Sequence, residues 1–203
     1  LGIMLGVAIL IIVMSVMNGF RSDLINKILG FNPHIIVKPY SSDINQSFKL
    51  KLKEKYKNFK IIESFSSEAV IMNNDLIKGI FVKGIDEKYK ENFKFIENNL
   101  IDGNFNNFKQ GKIILGKELA INLGVIVGDS INLMSSAFAT TPLGGLPMQE
   151  NFEIVAIFSS GFFEFDQGVI FLNLRDSLSF FDKTKDSLSL EIKLEDPLKA
   201  DFY

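Results

Sequence analysis

The chain has 203 residues, with 22 Lys and Arg against 24 Asp and Glu, a formal charge of −2 and no cysteine. That length allows one membrane helix with one or two small domains, and the acidic balance argues against a nucleic-acid binder, which needs a basic face. Disulfides, Cys-based zinc sites and thiol nucleophiles are excluded, while 47% hydrophobic residues, with 20 Phe, suffice for a sizeable core.

Residues 1–17 form an apolar run broken only by Ser15. At about 1.5 Å per helical residue it covers roughly 26 Å, a little short of a bilayer core of about 30 Å. The expected reading is a transmembrane helix truncated at its start, in a fragment of a longer membrane protein. A signal peptide fits less well, because Ser15-Val16-Met17-Asn18-Gly19-Phe20 is a poor cleavage context. Gly2 and Gly6 form a G-x-x-x-G beside Ala8. This either lets a neighbouring helix approach closely or reflects only how common glycine is in membrane helices. The flanking charges Arg21, Asp23 and Lys27 do not define topology.

The helix is expected to leave the membrane and run to Leu29, with Gly30 closing it and Asn32-Pro33 turning the chain. Residues 34–38 then read as a strand. In 44–59, apolar residues recur both every two and every four positions, and the length with many Lys and Glu favours a helix. Strands are expected at 61–65, 68–72 and 76–85, with a turn at Asn73-Asn74-Asp75. Further strands are expected at 113–115, 131–134, 152–158, 169–172 and 188–194, with helices at 117–123, closed by Gly124, and 174–181. Strands and helices mix without a βαβ rhythm, so the fold class is α+β. The expected domains are 1–29, the helix with its extramembrane continuation, and 30–203, a domain incomplete at its C-terminus.

No catalytic, cofactor-binding or metal-binding residues emerge. Gly111 to Lys117 has the G-x-x-x-x-G-K spacing of a phosphate loop, but Ile113-Ile114-Leu115 is a buried-strand sequence, and Glu118 replaces the hydroxyl that would hold magnesium. A strand entering a helix is the better reading. His34 is the only histidine and reads as structural or exposed. Glu164 and Asp166 would share one strand face, with surface or turn roles. Asn45-Gln46-Ser47 matches a glycosylation acceptor, a common chance pattern. The stretch 135–149 carries no charge between two strands, and its Phe138, Leu143, Leu146 and Met148 suit an apolar loop that meets a partner or folds back on its domain.

Several of these segments together resemble the LolC/LolE type of FtsX/MacB-like permeases, the membrane subunits of lipoprotein-releasing ABC transporters. They are Leu5-Gly6-Val7-Ala8, Ser15 to Phe20, and Ile28-Leu29-Gly30-Phe31-Asn32-Pro33-His34. To these add Thr141 to Pro147 followed by Phe152, Gly161 with Phe163-Glu164-Phe165-Asp166, and Asp196-Pro197-Leu198-Lys199-Ala200. The resemblance implies a multi-pass inner-membrane subunit with a MacB-like periplasmic domain, made of a porter-like α/β part and an inserted β-rich part. It implies no enzymatic role, with ATP and magnesium held by a partner ATPase (LolD-like) and none in this chain. The other implied partners are a LolE-like second subunit or another copy of the chain, an acylated lipoprotein substrate, the lipid bilayer and the periplasmic carrier LolA; nucleic acid is not among them. The hook-like loop 135–150 would dock LolA through Thr141, Pro142, Leu143, Gly144, Gly145, Leu146, Pro147 and Met148, the LolC pattern. Efflux, or regulation of cell-wall hydrolases by a related permease, is the alternative. Residues 162–165 would either line the substrate path or pack the core.

Overall fold

A computed structural model describes residues 2–39, 44, 46–56, 59–73, 76–86, 88, 93–141, 144–194, 196 and 200. In chain order the elements are α1 (Gly2–Phe31), β1 (Ile35–Val37), α2 (Gln46–Lys55), β2 (Lys60–Asn73), β3 (Leu76–Ile85), α3 (Lys94–Glu97), β4 (Leu100–Gly103) and β5 (Lys112–Gly116). There follow α4 (Lys117–Leu123), β6 (Ser130–Thr141), β7 (Gly144–Phe158), α5 (Phe163–Gly168), β8 (Val169–Asn173), α6 (Leu174–Phe180) and β9 (Ser189–Lys193).

The 30 residues of α1 span about 45 Å. Its stretch Gly2–Asp23 is long and apolar enough to cross a membrane and buries nothing against the rest of the chain. A core helix of a soluble protein would hide a stripe of this surface; here Ile3, Leu10, Met17 and Phe20 are all more than half exposed. The helix runs through Gly30 to Phe31, so Gly30 is not its closing residue.

The sheet curls on itself. Pairings β2–β3, β3–β8, β8–β5, β5–β7, β7–β6 and β6–β2 form a closed ring of six strands, parallel at β3–β8 and β5–β7 and antiparallel elsewhere. Alternate residues point inward, as the two-residue period of a strand requires. Ile71, Val82, Ile113, Leu133, Ile154 and Leu172, one from each strand, are essentially without solvent contact in one core. Leu119 and Leu123 of α4 and Phe180 of α6 join that core, with Phe180 edge-on to Phe152 at 5.8 Å.

The outward residues form a second core. Ile85, Ile114, Phe158 and Phe171 pack with Phe93, Ile96, Phe105 and Phe108 of the segment that includes α3 and leads to β5. β4 lies along β7 outside the ring. The first five residues of β2 leave the ring and pair with β9, which pairs in turn with β1, making a three-stranded wing.

Three expectations change. The strands at 61–65 and 68–72 are one 14-residue strand, because Ser66 and Ser67 keep their ladder partners Lys83 and Val82. Glu164 and Asp166 lie on α5, not on a strand. Residues 135–141 and 144–150 are not loop but the far parts of β6 and β7, since nearly uncharged, partly β-branched chain can pair with itself. The expected turn residues Asn74 and Asp75, the acceptor Asn45 and residues 197–199 lie outside the described residues.

Candidate functional site

Beyond Ser135, the last residue of β6 paired with β2, the β6–β7 ribbon has no other strand beside it among the described residues. Register shifts between Met134 and Phe138, where three residues on β6 face one on β7. Ser135 Oγ accepts the Ala137 N–H at 3.1 Å and holds this bulge, which adds local twist. The ribbon then continues from the pair Phe138 and Pro147 to the pair Thr141 and Gly144. Pro147 lacks an N–H and is tolerated because its outer edge is unpaired. Gly144 has φ +117°, a conformation closed to residues with a Cβ.

Phe138 is 62% and Leu146 57% exposed. By register they stand on opposite faces, Phe138 with Pro147 and Leu146 with Ala139. Of the expected contact residues, Thr141, Gly144, Gly145, Leu146, Pro147 and Met148 lie on the ribbon, while Pro142 and Leu143 fall outside the described residues. At its root Lys112 pairs with Glu153, and burial, then nearby Asp176, raises the Glu150 carboxyl above its ordinary range.

The other sequence candidates resolve individually. Asp166 is buried and accepts from Ser160 N–H at 2.8 Å, Ser160 Oγ at 2.5 Å and Ser159 Oγ at 3.2 Å, tying α5 to the end of β7. Glu164 is exposed. Phe165 packs edge-on against Phe158 at 5.9 Å, whereas Phe163 is exposed. Gly116, which completes the phosphate-loop spacing, lies against α5, and a Cβ there would sit 2.0 Å from the Asp166 carbonyl oxygen. Its role is close packing. His34 accepts the Leu194 N–H at Nδ1 (2.8 Å) and places Nε2 3.2 Å from the Leu29 carbonyl, joining the end of α1 to the end of β9. Gly2 and Gly6 face open space. The described residues hold no cluster of potential metal ligands.

These features define an α/β domain built on a closed mixed barrel with a projecting uncharged ribbon, preceded by a helix long and apolar enough to cross a membrane. The chain belongs to the MacB-like periplasmic core domain family, whose model matches residues 1–201. It is similar to the lipoprotein-releasing system transmembrane protein LolC of Neisseria meningitidis serogroup B, 29% identical over 203 residues, covering 98% of this chain and 49% of that one. LolE of Haemophilus influenzae is also 29% identical, over 208 residues, covering 98% of this chain and 50% of that one. The extracellular domain of the ABC-type transporter YknZ from Gram-positive bacteria gives a TM-score of 0.49 at 12% identity, covering 83% of this chain and 88% of that one. The chain spans about half the length of the curated relatives it matches.

Proposed function

We propose that this chain is part of a permease subunit of a lipoprotein-releasing ABC transporter in a bacterial inner membrane, with the barrel domain in the periplasm. In this reading a LolD-like partner ATPase hydrolyses ATP. The chain does no chemistry and passes motion through α1 to the barrel, so that acylated lipoprotein leaves the membrane for the carrier LolA. The second subunit is LolE-like or another copy of the chain. The observation that carries the reading is the uncharged ribbon, where Phe138 and Leu146 stay exposed on a backbone already ordered by its own pairing. Such a preorganised apolar finger binds a partner with little ordering cost.

The test is retention of purified LolA by the chain in detergent, comparing wild type with a Pro142→Ala/Leu146→Asp variant. Binding by wild type that the variant loses, with unchanged circular dichroism, supports carrier docking. Absence of binding by both removes the docking role. The related functions, efflux or control of cell-wall hydrolases, would then be sought through other partners of the same ribbon.

A further inference from the structure

The outward face of the barrel carries an apolar groove between the root of the ribbon and α5. Its floor is the β2–β3 pair, where Val70 and Gly79 stand opposite each other and Phe81 follows two residues on. These three point away from the barrel interior, since their neighbours Ala69, Ile71, Ile80 and Val82 fill it. On one side lie Met134, level with Val70, and Ser136, where the ribbon leaves β2. On the other lies Gly168 at the end of α5, and Lys78 Nζ donates to the adjacent Gln167 Oε1 at 3.1 Å. The groove holds about 490 Å³, the size of a small-molecule site, and Glu68 is the only charged residue among those lining it.

A glycine inside a strand weakens it and marks a bulge, a close-packed neighbour or the approach of a ligand. Gly84 on the same strand has a close neighbour: a Cβ there would lie 2.0 Å from Ser177 Oγ. Gly79 has no such neighbour within 4 Å, its ladder with β2 is unbroken and its φ is not positive, which leaves the approach of a ligand. The floor also limits what that ligand is. Its backbone is engaged in pairing of β2 with β3 and β6, and of β3 with β8. A peptide laid across it would lose main-chain hydrogen bonds to water without replacement, whereas a hydrocarbon chain loses none and gains by leaving water. The stretch Gly2–Asp23 buries nothing against the rest of the chain, so the groove does not continue the bilayer-facing surface and its occupant is brought to it. We propose that the groove holds an acyl chain of the lipoprotein substrate beside the ribbon, before the carrier takes it. The inference rests on the lipoprotein-release reading and adds to it a substrate subsite separate from the ribbon.

The test is photocrosslinking on the whole chain in nanodiscs. The probe is a synthetic lipopeptide whose N-terminal cysteine bears palmitoyl chains, one with a diazirine near its end, and adducts are located by mass spectrometry. The expected adducts are on Val70, Phe81 or Met134, suppressed by the same lipopeptide without diazirine and not by the unacylated peptide. Gly79→Leu should cut this labelling about ten-fold, the effect of displacing roughly two methylenes from apolar contact, with circular dichroism unchanged. Val70→Asp, across the ladder, is the second variant, with a loss in the same direction. The proposal is overturned if adducts are confined to α1, or if either variant that keeps the wild-type circular dichroism keeps full labelling. Equal suppression by the unacylated peptide, or equal labelling by a bilayer phospholipid with the same diazirine chain, overturns it as well. Retention of LolA is measured on the same wild-type sample. Retention without groove labelling removes the acyl subsite alone; loss of both removes the lipoprotein-release reading with it.

Discussion

At the scale of single residues, the barrel and its neighbours turn on a few close contacts. Gly116→Ala would place a Cβ 2.0 Å from backbone that cannot swing away, so α5 must move. The expected loss is about 2–4 kcal/mol, seen as a lower midpoint in urea unfolding. Asp166→Ala leaves the Ser160 N–H and two hydroxyls without their acceptor in a buried place, with an expected loss of about 2–3 kcal/mol in the same measurement. Neither role was legible beforehand. Gly116 looked like part of a weak phosphate-loop spacing and Asp166 like half of a carboxylate pair, because both depend on α5 returning to the β5–α4 junction. Lys193 carries the pH prediction. The folded chain releases its proton near pH 8, the unfolded chain near an ordinary lysine value of about 10.4. Between these values the unfolded state binds more protons, so stability rises with pH. Lys193→Met should reduce that rise, read by denaturant unfolding at pH 8 and pH 10.

At the scale of elements, the ribbon separates from the fold that holds it. Leu146→Asp should leave unfolding within about 0.5 kcal/mol of wild type, because the side chain is already in solvent. In contrast, Leu115→Ala empties a site inside the barrel and should cost about 2–5 kcal/mol by urea unfolding. Local signals located most elements well. The helix at 117–123 ends where Gly124 adopts φ +65°, and Val125 N–H reaches the Ala120 carbonyl at 3.1 Å. The short β4 and α3 were missed: β4 is an outer strand paired, among the described residues, with β7 alone, and α3 has one turn and no side-chain cap. The ribbon was misread as a loop because its pattern lacks strict alternation, although its central Gly-rich segment was a turn signal.

At the scale of the whole molecule, the long apolar helix and the barrel domain meet at His34. Its Nε2 lies beside the Leu29 carbonyl and its Nδ1 accepts the Leu194 N–H from 160 positions further along the sequence. His34→Ala should leave the barrel intact while raising hydrogen exchange at Leu194, since that N–H loses its partner; unchanged exchange there would remove the coupling role. The sequence by itself determined the apolar helix, the mixture of strands and helices, the uncharged stretch and its family resemblance, because these depend on composition and on order along the chain. Only the tertiary structure decided that six strands close into a barrel and that 135–150 stands out as a paired ribbon. It also decided that Lys83 and Lys193 share one side of the wing. Apart from its hairpins, the barrel joins strands about 40 to 90 positions apart and the two lysines are 110 apart. Pairing across such separations is set by mutual burial that no local pattern encodes. The ribbon pairs residues close in sequence but stands out only because no other strand lies beside it among the described residues.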